Sequence, residues 1–439
     1  MKSIATYAAL FAVVSLPLWA SLLDSGDREP LVNEATVKEA LASQTPSRLP
    51  GSDELEFFRA RRLERDDDVV AARRIAAAHL MRFQAYGRDE DLAGAESTLE
   101  SLLALRPTDA DLWSRRAQIH LSRHEFQRAL DAAQHAVDLA PPAERELHRL
   151  RLFDALFALG RYDEAERLLE LPSDRKAFSY RVREARLRDR LGDVETARDL
   201  MRESLRLAEA YAQPSTVLAW NHVELGHFEY HSGNPDGAVT HYREALRIAP
   251  GYPAALEGLG WIAYGMDGDA EKADSLFTRA LENGGHQDLR LALAELALFR
   301  GDSTRAYDQV GRLATLAARD MSSRRLLSEP LALALSDTET EAALLLSREN
   351  LAERRTAESL AVHGWVLHQL GDKEGARTLF DEAVGWGTPQ PMVFYLAGRH
   401  AAEAGERDKA RRWLREARDG SAELGPRRAS QVQALLESL

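Results

Sequence analysis

Residues 110–141 read ADLWSRRAQIHLSRHEFQRALDAAQHAVDLAP, and residues 219–250 read AWNHVELGHFEYHSGNPDGAVTHYREALRIAP. The two stretches superimpose without a gap. Each carries a small residue (Ala117, Gly226) and, twelve positions later, an alanine (Ala129, Ala238). Packing positions follow four and seven residues on (Ala133 and Ala136; Tyr242 and Ala245), and a proline closes each copy (Pro141, Pro250). Spacings of three and four predict two amphipathic helices per copy. With the central alanine as register mark, further copies are centred on Ala95, Ala165, Ala197, Ala273, Ala306, Ala376 and Ala410. A tenth, degenerate copy falls around Ala343, because the interval from Ala306 to Ala376 is about twice the ordinary one of about 34 residues.

The spacing has a packing reason. A small residue in the first helix, as at Gly226, Gly260, Gly364 and Gly398, lets the second helix approach closely. The central alanine does the same from the other side. Gly160-Arg161, Gly192-Asp193, Gly301-Asp302, Gly371-Asp372 and Gly405-Glu406 mark the turn between the helices. One such pair cannot bury its apolar face alone, so copies must stack. Trp113, Ala117, Phe126, Ala129 and Pro141, with their counterparts in the later copies, resemble the tetratricopeptide repeat signature W-x2-L-G-x2-Y, A-x3-F, P. The resemblance runs from near Ala76 to Ala417. It implies an all-α solenoid, a right-handed superhelix of helix-turn-helix repeats.

Composition agrees with a helical, globular chain. Of 439 residues, 45% are hydrophobic and 29% charged, and there is no cysteine, which removes disulfides, thiolate metal sites and a cysteine nucleophile. The net charge of −13 argues against a general nucleic-acid binder. The basic residues are almost all arginine, lysine occurring only at positions 2, 38, 176, 272, 373 and 409.

At the amino terminus Lys2 precedes an apolar run from Ala8 to Leu23, interrupted by Pro17 and followed by Asp24, Asp27 and Arg28. This pattern is expected of a signal peptide or membrane anchor over residues 1–23, with residues 4–23 as the anchoring stretch. The body is then exported to the periplasm or cell envelope of a bacterial cell. Residues 24–52 read as a polar linker holding one short helix near Glu34–Ser43. Ten repeats preceded by a helical segment fill residues 53–425, and residues 426–439 form a terminal capping helix. Two irregularities are expected: an extra residue in the turn Gly265-Met266-Asp267-Gly268, and a longer helix ending near Gln213-Pro214.

No phosphate-cradling glycine loop, G-x-S-x-G or H-E-x-x-H is present, and no stretch remains for a separate catalytic domain. No cofactor is expected. Asp267–Glu271 lacks the glycine and terminal glutamate of a calcium loop and reads as a turn. His222, His227, His231 and His241 lie within twenty residues, and Glu224, His227 and His231 share helical spacing, so they are the weak metal-ligand candidates.

The resemblance to tetratricopeptide proteins implies a concave groove lined by the first helix of each repeat. Its inward positions carry over onto Trp220, Val223, His227 and Tyr230, then Glu257, Trp261 and Tyr264. Further along they carry over onto Glu358, Trp365 and His368, then Tyr395 and Arg399. Aromatic groups there suit partner recognition. The Lys, Asn and Arg of the chaperone-tail clamp are replaced by Val223, His227 and Glu257, so that specificity is not implied. The expectation is a non-catalytic protein- or peptide-binding scaffold, an accessory or assembly factor at the envelope, touching the membrane only through its amino-terminal segment. The alternative is a periplasmic protein that holds a small ligand or metal on the His222–His241 cluster.

Overall fold

A computed structural model describes residues 30–43, 49, 51–65, 67–171, 177–319 and 321–439. The expected signal or anchor, residues 1–23, lies outside them. Among the described residues there are helices and no strand. Helices α1 (Glu34–Ala42) and α2 (Ser52–Glu64) lead into a first pair, α3 (Val69–Tyr86) with α4 (Asp89–Leu105). The next pairs are α5 (Ala110–Ser122) with α6 (Phe126–Leu139), α7 (Arg145–Ala158) with α8 (Tyr162–Glu170), and α9 (Phe178–Arg190) with α10 (Val194–Ala210). Then come α11 (Ser215–His231) with α12 (Pro235–Ile248), α13 (Pro253–Gly265) with α14 (Ala270–Glu282), and α15 (Leu289–Phe299) with α16 (Ser303–Arg319). The last three are α17 (Met321–Leu335) with α18 (Thr340–Glu353), α19 (Ala357–Gln369) with α20 (Lys373–Gly385), and α21 (Pro391–Glu403) with α22 (Arg407–Asp419). A final helix, α23, spans Ser421–Ser438 with a break at Gly425.

The ten register alanines all lie in the second helix of a pair and all are buried, nine with no exposure and Ala306 with 4%. Close approach explains why nothing larger fits. The Tyr242 ring is gripped between two first helices, so that a Cβ added at Gly226 or Gly258 would sit 2.6 or 2.4 Å from it.

Successive turns of the superhelix touch by a regular rule: the hairpin turn of one pair rests on the connection between the fifth and sixth pairs further along. Gly87 meets the backbone of Gly284. Glu125 accepts from Arg325 at 2.9 Å across 200 residues. The Arg355 amide donates to the Leu159 carbonyl at 3.2 Å, and Thr388 Oγ1 donates to the Arg190 carbonyl at 3.0 Å across 198 residues. His231 faces Glu423 at 3.8 Å. The solenoid therefore coils onto itself as a closed stack of turns.

Both ends of the described chain are tied down. Within the stretch expected to be a linker, residues 31–42 dock on the repeats: Asp267 accepts from the amides of Leu31 at 2.9 Å and Val32 at 2.8 Å, and α1 packs on α12 and α14. Val32 and Ala40 are buried as a result. The four-residue turn after Gly265 thus serves as an anchor for the incoming chain. At the other end α23 packs on α22 and crosses to α13 and α21, where Arg427 and Arg428 both reach the buried Glu295, at 2.6 and 3.1 Å.

Gly160 and Gly371 separate local from long-range effects. Both have positive φ (+79° and +87°), but a Cβ at Gly160 would lie 2.0 Å from the Arg355 carbonyl oxygen, whereas Gly371 faces open space. Alanine at either site carries the left-handed backbone cost of about 1–2 kcal/mol. Gly160→Ala should lose about 1–3 kcal/mol more through the steric clash. Urea unfolding followed by circular dichroism measures both; equal losses would mean that the turns do not touch in solution.

Candidate binding chamber

Coiling forms a half-open chamber of about 790 Å³ on the inside of the first superhelical turn. Its walls are the inner faces of α7, α9 and α11, and the start of α19 from the following turn closes over it. That volume lies within the range of ligand pockets, roughly 300–1,000 Å³. Phe157, Phe178 and Trp220 are half-buried in its wall, while Tyr162 and Tyr252 are buried behind it.

Five arginines line the chamber (Arg151, Arg183, Arg186, Arg190, Arg354) against three carboxylates (Asp154, Glu329, Glu358). Asp154 Oδ2 serves two of them, Arg151 at 3.0 Å and Arg183 at 2.7 Å. Arg354 pairs with Glu329 at 2.7 Å, and Arg190 pairs with Glu358 across the turn contact. Burial alone would raise the Glu358 carboxyl, but Arg190 overrides it and holds the group below its ordinary range. Arg186 belongs to none of these pairs. Its guanidinium lies 5.1 Å above the Phe157 ring, an exposed cation held on an aromatic face. Beyond it Glu224 on α11 is pushed up by burial and drawn back down by Arg186. His124 adds no charge at neutral pH, since burial and the neighbouring Arg354 depress it to about 4. Two buried donors, Arg151 Nε and Arg354 Nε, and the Thr216 hydroxyl have no hydrogen-bond partner. The chamber is therefore rich in donors and in positive charge, inside a chain of net charge −13.

The groove residues implied by the repeat signature divide. Trp220 lines the chamber. His227 is tied to the Tyr242 hydroxyl at 3.1 Å, and burial depresses it to about 4. Tyr230 is half-buried with its hydroxyl unpartnered, and burial raises its pKa. Trp261 packs edge-on against Phe277 at 5.2 Å, and its Nε1 donates to Glu257 at 3.4 Å.

Four expectations of exposure need correction. Tyr264 is 1% exposed, because α23 covers it and its hydroxyl donates to Glu295 at 3.3 Å. Tyr395 is 3% exposed, because its hydroxyl donates to Gln431 of the same helix at 2.5 Å. Trp365 is 2% exposed beneath Arg399, whose guanidinium lies 4.3 Å from its ring, and His368 stacks on it at 4.9 Å. His368 is itself buried between His400 at 3.0 Å and Glu403 at 2.9 Å. Arg399 is half-buried over both the Trp365 and Tyr395 rings. The carboxy-terminal helix thus occupies part of the concave surface that was expected to be free.

The metal candidates also separate. His222 pairs with His241, Nδ1 to Nδ1 at 3.1 Å, while His227 turns to Tyr242 and His231 to Glu423. Glu224, His227 and His231 share helical spacing without converging, and no group of three or more ligand side chains is assembled among the described residues.

The arginines of α7 and α9 were not singled out by the signature, because these repeats match it weakly. A signal was nevertheless present: Arg183, Arg186 and Arg190 recur at spacings of three and four, which places them on one helix face.

Glu257 offers a pH readout of the inner surface. Burial pushes its carboxyl up to about 7, so the folded state holds the proton more tightly than the unfolded chain. Its stabilising contribution is complete below about 4.5 and is lost as the pH rises through 7. Glu257→Gln should therefore leave stability unchanged at pH 4.5 and raise it by up to about 3 kcal/mol at pH 8. Denaturant midpoints across this range test the sign; a pH-independent difference would contradict it.

Among curated proteins, none matches the chain in sequence. The chain is similar in structure to human IFIT1, solved as a dimer with m7Gppp-AAAA, at 15% identity and a TM-score of 0.48, with 76% of this chain and 77% of that one covered. It is similar to yeast Tom70 at 12% identity and a TM-score of 0.35, covering 88% and 92% of the two chains. It is similar to a tetratricopeptide repeat protein of Parabacteroides merdae at 16% identity and a TM-score of 0.34, covering 59% and 97%. Two sequence profiles described as tetratricopeptide repeat match residues 80–144, 182–253 and 223–288, and residues 149–170, 357–382 and 391–416. Together these stretches span more than half of the chain, and with the ten stacked helix pairs they place it in the tetratricopeptide repeat family.

Proposed function

We propose that the chain is a non-catalytic scaffold that binds a protein or peptide partner, not nucleic acid, and that the chamber of the first superhelical turn is where the partner is held. Tetratricopeptide repeats are protein-interaction modules as a class, and the donor-rich chamber is the observation that carries the reading. Half-buried rings and arginine side chains lining one concave space are groups that a ligand can contact. The same reading makes the protein an accessory or assembly factor at the cell envelope. Lys2 and the apolar run Ala8–Leu23 support export, with that segment either cleaved or retained as the anchor.

Affinity capture from envelope extract, with the full chain beside its Trp220→Ala variant, tests the binding reading. A partner retained by the wild type and lost by the folded variant is the expected result. It should also cross-link to a benzophenone side chain placed at position 220. A partner captured equally by both proteins, with no cross-link, would overturn the assignment to the chamber. Cell fractionation tests localisation separately: the expected result is envelope or periplasmic material, and a purely cytosolic pool would overturn it.

A further inference from the structure

Resting on the chamber as the partner site, we propose that its occupant is an acidic segment of the partner in which an aromatic side chain stands beside carboxylates. Arg186 reads the acid, and the wall holding Phe157, Phe178 and Trp220 takes the ring.

Three observations carry this. The first is charge: the lining holds five guanidinium groups and three carboxylates, and one of those carboxylates is shared by two arginines. Four of the guanidinium groups are held in ion pairs, and the fifth, Arg186, is in none of them, with Glu224 the nearest acid beyond it, so Arg186 is the cation that an entering anion can engage. The second is hydrogen-bond chemistry, since the five guanidinium groups of the lining can only donate. A ligand must therefore bring acceptors. The third is the placement of Arg186, exposed and stacked over Phe157. A guanidinium on an aromatic face leaves its edge free for a carboxylate while its plane stays packed. Half-buried rings in the same wall offer apolar area beside that cation, so an acid and a ring are best satisfied together. The chamber's volume of about 790 Å³ admits a few residues of chain, but not a folded domain.

Removing Arg186 breaks none of the ion pairs named in the lining, and circular dichroism and a denaturant midpoint check separately the loss of its interaction with Glu224 and Phe157. The test uses the full chain in isothermal titration with three capped pentapeptides: Glu-Glu-Trp-Glu-Glu, Gln-Gln-Trp-Gln-Gln and Glu-Glu-Ala-Glu-Glu. AMP serves as a planar phosphate probe. The acidic tryptophan peptide should bind with a stoichiometry of one and weaken as salt is raised. The neutral peptide and the alanine peptide should each bind at least about tenfold more weakly. Arg186→Gln should weaken the acidic tryptophan peptide by about 10- to 100-fold, the range expected on losing a charge-assisted hydrogen bond, with an unchanged circular dichroism spectrum. Arg186→Lys should restore part of the loss.

Equal binding of the neutral peptide, or an unchanged affinity in Arg186→Gln, would overturn the acidic specificity. AMP binding more tightly than any peptide would overturn the peptide assignment. No peptide binding at all would overturn the inference, yet a partner that still depends on Trp220 in the capture experiment would leave the scaffold reading standing.

Discussion

The distance at which paired helices can approach governs this molecule. All ten second helices carry a register alanine buried to the last few per cent, and glycines such as Gly226, Gly260 and Gly398 let the paired helices approach closely. At van der Waals contact one methyl group is all the crossing admits. The apolar residues flanking the crossing then have no partner within the pair. They are buried only when the next pair is laid against them, which is why the chain continues as a stack. Tyr242 shows how far this goes, since its ring fills a space left by two glycines on two different helices.

Stacking at constant geometry produces a superhelix, and its closure makes something that no single repeat possesses. Hairpin turns of one superhelical turn seat on connections of the next, through backbone contacts such as Arg355 to Leu159 and charged contacts such as Arg325 to Glu125. The chamber is a product of this closure: α7, α9 and α11 come from one turn, and Thr356 and Glu358 come from the other. Guanidinium groups taken out of bulk water are expensive unless paired. The pairs Arg190–Glu358 and Arg354–Glu329 meet that cost, and Arg190–Glu358 also ties the two turns together. Arg186 escapes it by remaining solvated on the Phe157 ring. The carboxy-terminal helix solves a related problem, covering the inner aromatics of α13 and α21 while its own Leu424 and Val432 are buried.

The repeat, its register and the turn irregularities were legible in the residues, because each is a local spacing: Ala129 to Ala133 and Ala136, or the four-residue turn after Gly265. The candidate site was legible only in part. Trp220 was reached from its position in the first helix of its repeat, and Arg183, Arg186 and Arg190 show their common face in their spacing. Tyr264, Trp365, His368 and Tyr395 were misplaced because position within a repeat specifies the inward direction and not what lies there. Tyr264 points inward as its register implies, but α23 fills the space, and Tyr395 meets Gln431 of that helix for the same reason. The histidines failed in another way. Residues four apart share a helix face, but convergence on one ion needs groups from several elements, and His227 and His231 find different partners.

The sequence by itself determined what depends on neighbours a few residues away: helices of this length, paired at small residues, repeated about every 34 residues and therefore stacked. Only the tertiary structure decided what depends on residues some two hundred positions apart. It seated Asp267 on the amides of Leu31 and Val32, and it brought Glu358 to Arg190. It also laid α23 over the groove and gathered five arginines around one chamber. The physical reason is that superhelical closure sums small rotations over many repeats, so distant contacts are fixed by accumulated geometry that no local spacing records.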